Sequence, residues 1–215
     1  MFALRPGTSP SQEYRLSARL LDSAGQAVVT VPSLRFVPVQ GFAVTPGQAL
    51  DQWTAPYQFL PDGDDKVKST QTMATATPPD PAPVPGCGVL KLTYACDSGW
   101  KFFRLAPKPE VAREWPGQPK ALGVWIDGDG QGLVTEMRFR DAAGQTFQPG
   151  AESVTFKGWR YLTFRLDGRD TWHWGGVDDG VPHYPLSLDT LFLLDNSARG
   201  AIHGEVFLQA PVLVY

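Results

Sequence analysis

Residues 157–176, KGWRYLTFRLDGRDTWHWGG, hold three tryptophans, a tyrosine, three arginines and four glycines. A hydrophobic core uses the aromatics but not the arginines, and a solvated loop uses the arginines and glycines but not three indoles. Flat rings set among guanidinium groups suit noncovalent recognition: the rings cover an apolar surface and the guanidinium forks hydrogen-bond its rim. Upstream, WIDGDGQG (125–132) and TEMRFRDAAGQ (135–145) add a further tryptophan, several carboxylates and two arginines.

Alternation along extended segments sorts these side chains. In KALGVWID, Leu122, Val124 and Ile126 share one face, and Trp125 and Asp127 the other. In TEMRFRD, Met137 and Phe139 oppose Glu136, Arg138 and Arg140, and in WRYLTFRL, Leu162, Phe164 and Leu166 oppose Trp159, Tyr161 and Arg165. The expectation is three neighbouring strands whose reverse faces join into one aromatic, arginine-studded platform. A pyranose ring fits such a surface, its C–H face stacking on the rings and its hydroxyls meeting Arg, Asp and Glu. The alternative is a second core, in which the N-terminal segment or the proline-rich loop covers this face.

Other chemistries are less well served. IDGDGQG (126–132) lacks the twelfth-position acid and flanking helices of a helix–loop–helix calcium site and reads as a hairpin turn. TWHWGGVDDGVPHY (171–184) gathers Trp172, His173, Trp174, Asp178, Asp179, His183 and Tyr184. A lyase base or a two-histidine metal site could be drawn from it, but a loop wall is the plainer reading. Glycoside hydrolysis needs two opposed carboxyls, for which Glu136 and Asp127 could serve if their strands were neighbours, yet Arg138 and Arg140 would keep them ionised. No serine-nucleophile signature, phosphate loop or nucleotide fingerprint is present.

The elements that position these residues are β-strands. Twenty prolines and 22 glycines leave no amphipathic helix among the 215 residues, only short alternating runs with turn chemistry between them. An antiparallel β-sandwich or jelly roll is expected, with residues 1–40 as a β-hairpin appendage left from a preceding domain or linker and 41–215 as the main domain. Within the appendage, 14–39 reads as strand, turn, strand, strand. TMATATPPDPAPVPG (72–86) reads as a polyproline-like loop. RLLDSAGQAV (19–28) and RFRDAAGQTF (138–147) repeat one hairpin device, an Asp that bonds forward to turn amides and a Gly with positive φ. Cys87 and Cys96 flank an extended run that separates them by about 30 Å, too far for a disulfide.

A net charge of −3 gives no basic footprint for nucleic acid, and no apolar run reaches the roughly 20 residues of a membrane-spanning helix. MFALRPGTSP has no apolar signal-peptide core.

The ordered motifs LGVWIDGDGQG, MRFRDAAGQTFQ, FKGWRYLTFRLDG, WHWGG and PLSLDTLFLLDN resemble carbohydrate-binding jelly-roll modules of the galactose-binding-like superfamily, particularly those related to the family 11 and 30 glucan-binding modules. The resemblance spans roughly 42–215. It implies a non-catalytic, extracellular or periplasmic module of a larger bacterial polysaccharide-active protein, with a carbohydrate ligand and neighbouring domains of the parent chain as partners. It carries ligand binding onto Trp125, Asp127, Asp129, Arg138, Arg140, Trp159 and Tyr161. Glu136 and Arg165 join them from the strand pattern, and Trp172 and Trp174 form the rim. Many relatives hold a structural calcium through an acid on the last strand. Here Gln209 stands at that place, which leaves no cofactor firmly implied. A jelly-roll lyase or glycosidase, and a structural domain that positions a catalytic neighbour, are the alternative readings.

Overall fold

A computed structural model describes residues 14–38, 57–84, 87–109 and 114–215. The described residues form thirteen strands: β1 Tyr14–Leu21, β2 Ala27–Pro38, β3 Tyr57–Gly63, β4 Ser69–Thr75, β5 Leu90–Cys96, β6 Lys101–Pro107, β7 Ala121–Asp129, β8 Val134–Arg140, β9 Thr146–Gln148, β10 Lys157–Arg165, β11 Trp172–Trp174, β12 Ser187–Asp195 and β13 Ile202–Val214. Every ladder is antiparallel, giving the expected all-β sandwich. No helix among the described residues is long and apolar enough to cross a membrane.

One sheet has seven strands organised around β13, which pairs with β7 through Phe207–Val214 on one edge. Its other edge takes β5 at Ile202–Leu208 and then β2 at Val212–Val214. β4 and β10 lie outside β5 and β7, and β1 outside β2. The second sheet runs β11-β9-β8-β12-β6-β3. The core lies between the sheets, where Tyr94 meets Phe103 at 5.4 Å and Phe164 meets Phe192 at 6.5 Å between ring centroids. The inward sets read from alternation, Leu122/Val124/Ile126, Met137/Phe139 and Leu162/Phe164/Leu166, are all buried there.

Segment 14–38 is a two-stranded hairpin, not the three strands expected, because 27–38 continues through a register shift as one strand. The boundary expected near residue 40 lies outside the described residues. Both hairpin echoes work as read. Asp22 Oδ1 accepts from the Ala24 and Gln26 amides, Asp141 Oδ1 accepts from the Gln145 amide, and Gly25 and Gly144 take φ of 79° and 82°. Cys87 and Cys96 are free thiols.

Candidate functional site

The single platform expected from three neighbouring strands does not exist. The chain changes sheet between β7 and β8 and again between β9 and β10, so β7 and β10 pair in one sheet while β8 lies in the other. The buried faces of β7 and β8 therefore meet across the core, and their reverse faces point in opposite directions. Trp125, Asp127, Asp129, Trp159, Tyr161 and Arg165 belong to the seven-stranded sheet; Glu136, Arg138, Arg140, Trp172 and Trp174 belong to the six-stranded one. Glu136 and Asp127 are not neighbours.

On the seven-stranded sheet, the proline-rich segment lies across part of the outer face. The Gln209 side chain, 1 % exposed, accepts from the Val84 amide at 3.0 Å and donates to the Val84 and Cys87 carbonyls at 2.9 and 3.1 Å. Trp159 Nε1 donates to the Asp80 carbonyl at 3.3 Å. Beneath this strap Phe207 is buried, and Asp127 is 3 % exposed with Oδ2 unpartnered. Burial first, and the nearby Asp80 second, push the Asp127 carboxyl above its ordinary range. The covering foreseen as the alternative is thus realised over Asp127 and Phe207. Beyond it, Trp125 and Tyr161 stay in tilted contact at 5.2 Å, with Tyr161 40 % exposed. The Tyr161 hydroxyl lies where a Cβ on Gly123 would sit. Arg165 pairs with Asp167 at the same strand's end.

Asp129 serves its own turn: Oδ1 accepts from the Gln131 amide at 3.0 Å and Oδ2 from the Tyr94 hydroxyl at 2.6 Å. Gln209, with both amide atoms committed to the strap, does not fit a calcium ligand, and among the described residues no group of three or more His, Cys, Asp or Glu could hold a metal.

The outer face of the six-stranded sheet is built differently. β11 pairs with β9 and β9 with β8, which brings Trp172 and Trp174 to the side that carries Arg138 and Arg140. The two indoles lie 4.9 Å apart, Trp172 being 67 % exposed. The Arg138 guanidinium sits 5.5 Å from the Trp174 ring and 5.2 Å from Phe102 on β6, and Phe102 lies 5.8 Å from Trp100, which is 51 % exposed. Rings and guanidinium thus form one diagonal row across five strands, roughly 20 Å at about 4.8 Å per strand.

Polar groups flank the row. Arg104 Nε lies 3.0 Å from Asp62 Oδ2, close enough for an ion pair but not aligned as a hydrogen bond. Arg140 Nε donates to Asp189 Oδ2 at 3.0 Å, and Arg138 Nε to Gln148 Oε1 at 2.6 Å. Burial pushes the Glu136 and Asp195 carboxyls upward, and Asp195 Oδ1 has no protein partner. Burial and then the charge of Arg104 weaken the proton affinity of Arg138, which nonetheless stays cationic. Trp100 and Phe102 were missed in the sequence, although WKF places them two apart on one strand face.

The loop that follows β11 is moored through Gln145. Its Nε2 donates to Asp141, Asp179 and the Val181 carbonyl at 2.9–3.1 Å, and its Oε1 accepts from the Gly180 amide. His173 bonds Asp178 and His183 bonds Asp179, so the two histidines hold separate carboxylates and do not converge.

No protein-family model matches the chain. In sequence it is similar to a curated protein of Ajellomyces capsulatus, "Probable dehydratase NIT22", 32% identical over 111 residues covering 47% of this chain and 26% of that protein. The chain thus spans about a quarter of the length of that relative. In fold it is similar to the family 11 carbohydrate-binding module of the cellulosomal cellulase Lic26A-Cel5E of Clostridium thermocellum, with a TM-score of 0.48 and 6% identity over 74% of this chain and 86% of that one. A second solved structure, a family 11 carbohydrate-binding module from Clostridium thermocellum in complex with a beta-1,3-1,4-mixed-linked tetrasaccharide, has a TM-score of 0.47 and 7% identity over 74% and 88%.

Proposed function

We propose that this chain binds carbohydrate on the outer face of the six-stranded sheet, as a non-catalytic module of a larger polysaccharide-active protein working outside the cytoplasm. The observation that carries the reading is the row Trp172, Trp174, Arg138, Phe102, Trp100. Its ends are exposed indoles, its middle is a clamped guanidinium, and carboxylates and amides flank it, which matches rings with apolar faces and hydroxylated edges. The row is long enough for several linked hexoses. Because strands hold these side chains, little ordering is required on binding, and affinity falls in the micromolar to millimolar range, about −8 to −4 kcal/mol.

The test is calorimetric titration with a soluble polysaccharide panel. Trp174→Ala and Trp100→Ala each weaken binding several-fold, since a stacked ring contributes roughly 0.5–1.5 kcal/mol. Trp125→Ala, on the opposite sheet, leaves it unchanged. Equal losses from Trp125→Ala, or no effect from the other two, would refute the placement. One observation favours hydrolysis as a second reading: Glu136 and Asp195 lie on adjacent strands as diagonal neighbours, both held above the usual carboxylate range. New reducing ends that disappear in Glu136→Gln would establish it.

A further inference from the structure

Three guanidinium groups stand on the six-stranded sheet's outer face, and they are not equivalent. Arg104 is within ion-pair distance of Asp62, and Arg140 bonds Asp189. Among the described residues Arg138 has no carboxylate within ion-pair distance, although Asp189, Asp62 and Glu136 act on it from farther off; its single bond runs from Nε to the neutral Gln148 amide. Its Cζ lies 5.2 Å from the Phe102 ring centroid and 5.5 Å from that of Trp174, so moving the guanidinium onto an acid costs it both ring contacts. Among the described residues neither Nη group has a hydrogen-bond acceptor, and neither is fully buried. A half-buried cation fixed in position with an open two-pronged edge is a receptor for a planar, two-oxygen anion.

Resting on the proposal that this face binds sugar, we infer that one subsite takes a uronic acid residue, its carboxylate bidentate on Arg138 and its ring beside Trp174. The surrounding acids narrow the ligand further. Asp62, Glu136, Asp189 and Asp195 line the same face, and the whole chain carries a net charge of −3. A densely sulfated or phosphorylated polymer would meet these carboxylates at every turn and be repelled. At this one subsite a uronate presents a single carboxylate, which Arg138 takes, and hydroxyls that donate to the neighbouring carboxylates. Gln148 keeps the Nε prong occupied and so leaves the Nη edge as the docking edge.

The probes are polygalacturonate and alginate, each beside its carboxyl-reduced neutral form, with a mixed-linkage β-glucan as an unrelated neutral chain. They are titrated against the wild type, Arg138→Gln and Trp174→Ala, with circular dichroism confirming that each variant is folded. At least one acid form binds about tenfold more tightly than its reduced form, as a charge-assisted pair implies. In Arg138→Gln that ratio falls to within twofold, and in Trp174→Ala it persists while both affinities drop. Reduced forms that bind as tightly as acid forms, or a ratio unchanged in Arg138→Gln, would overturn the uronate inference and leave the sugar site standing. Trp174-dependent binding of the glucan alone has the same consequence. Binding of none of the probes would remove the site reading itself.

Discussion

Gln209→Leu isolates the fastening of the proline-rich strap. The Gln209 amide is 1 % exposed and makes three hydrogen bonds to main-chain groups of the strap, at 2.9–3.1 Å. Leucine fills a similar volume and makes none of them. If the strap stays docked, the Val84 N–H and the Val84 and Cys87 carbonyls are stranded under it; if it lifts, they regain water but Val84 and Phe207 lose their cover. At about 1 kcal/mol net for each bond, the variant is about 3 kcal/mol less stable. For a chain of this size that lowers Tm by roughly 6–12 °C. Equilibrium urea unfolding and calorimetry at pH 7 measure the loss. Limited proteolysis with intact-mass analysis locates it, as a new cleavage within 76–87. Gln209→Glu is the informative partner, because it keeps an acceptor for the Val84 amide but sets a carboxylate oxygen against two carbonyls. A Tm within 2 °C of wild type in both variants, with the strap still resistant to protease, would show that this amide does not hold it.

Three further outcomes are expected. Asp127→Asn stabilises the chain by about 1–3 kcal/mol at pH 7, since it removes a buried charge with an unpartnered oxygen. Its sign follows from the raised pKa: the folded chain holds that proton more tightly, so the contribution of Asp127 to stability is fullest below the ordinary carboxylate range and declines as pH rises through the raised value. The gain from Asn therefore vanishes in acid, and parallel pH–Tm profiles would refute it. Gly204→Ala places a Cβ 2.1 Å from Asp129 Oδ2 and 2.7 Å from the Tyr94 hydroxyl, costing about 2 kcal/mol by breaking their bond. In that background Tyr94→Phe adds nothing, which a double-mutant cycle in urea checks. Gly123→Ala puts a Cβ 1.9 Å from the Tyr161 hydroxyl, so the ring swings outward. Tetranitromethane then nitrates Tyr161 faster, with stability nearly unchanged because only a side-chain tip moves.

How far the sequence could be read follows from the range of each signal. Alternation is local, so it sorted the inward and outward residues of β7, β8 and β10 correctly. The Asp–Gly turns are also local, and both hairpin echoes work as read. Sheet membership is not local. A sandwich buries the inner face of one strand against that of another, and this is satisfied whether the next strand pairs beside its predecessor or crosses the core to face it. The pattern of VWID and EMRFR is the same in either case, so Trp125 and Arg138 could be assigned to one face when they lie on opposite sides. Trp172 and Trp174 were read as loop rim because three residues carry too little periodicity to declare a strand. That the Nε of Arg138 bonds a neutral amide rather than a carboxylate depends on Gln148, ten residues away, and no spacing rule reports it.

The two outer faces show why aromatic content alone was an ambiguous signal. Both sheets carry outward indoles. On the seven-stranded sheet, a glutamine at 209 and an indole N–H at 159 capture the main chain of a segment whose prolines cannot join a sheet, and that strap occupies part of the surface. On the six-stranded sheet the corresponding polar groups, Arg104, Arg138, Arg140 and Gln148, are side chains that meet other side chains. Main-chain partners come from the protein's own chain and close a face, whereas side-chain pairs leave donor edges such as the Nη groups of Arg138 available to a ligand. The partner class of the polar neighbours, rather than the number of rings, therefore separates the covered face from the face proposed to bind sugar. Trp125→Ala and Trp174→Ala put that distinction to the same titration, and equal losses from both would refute it.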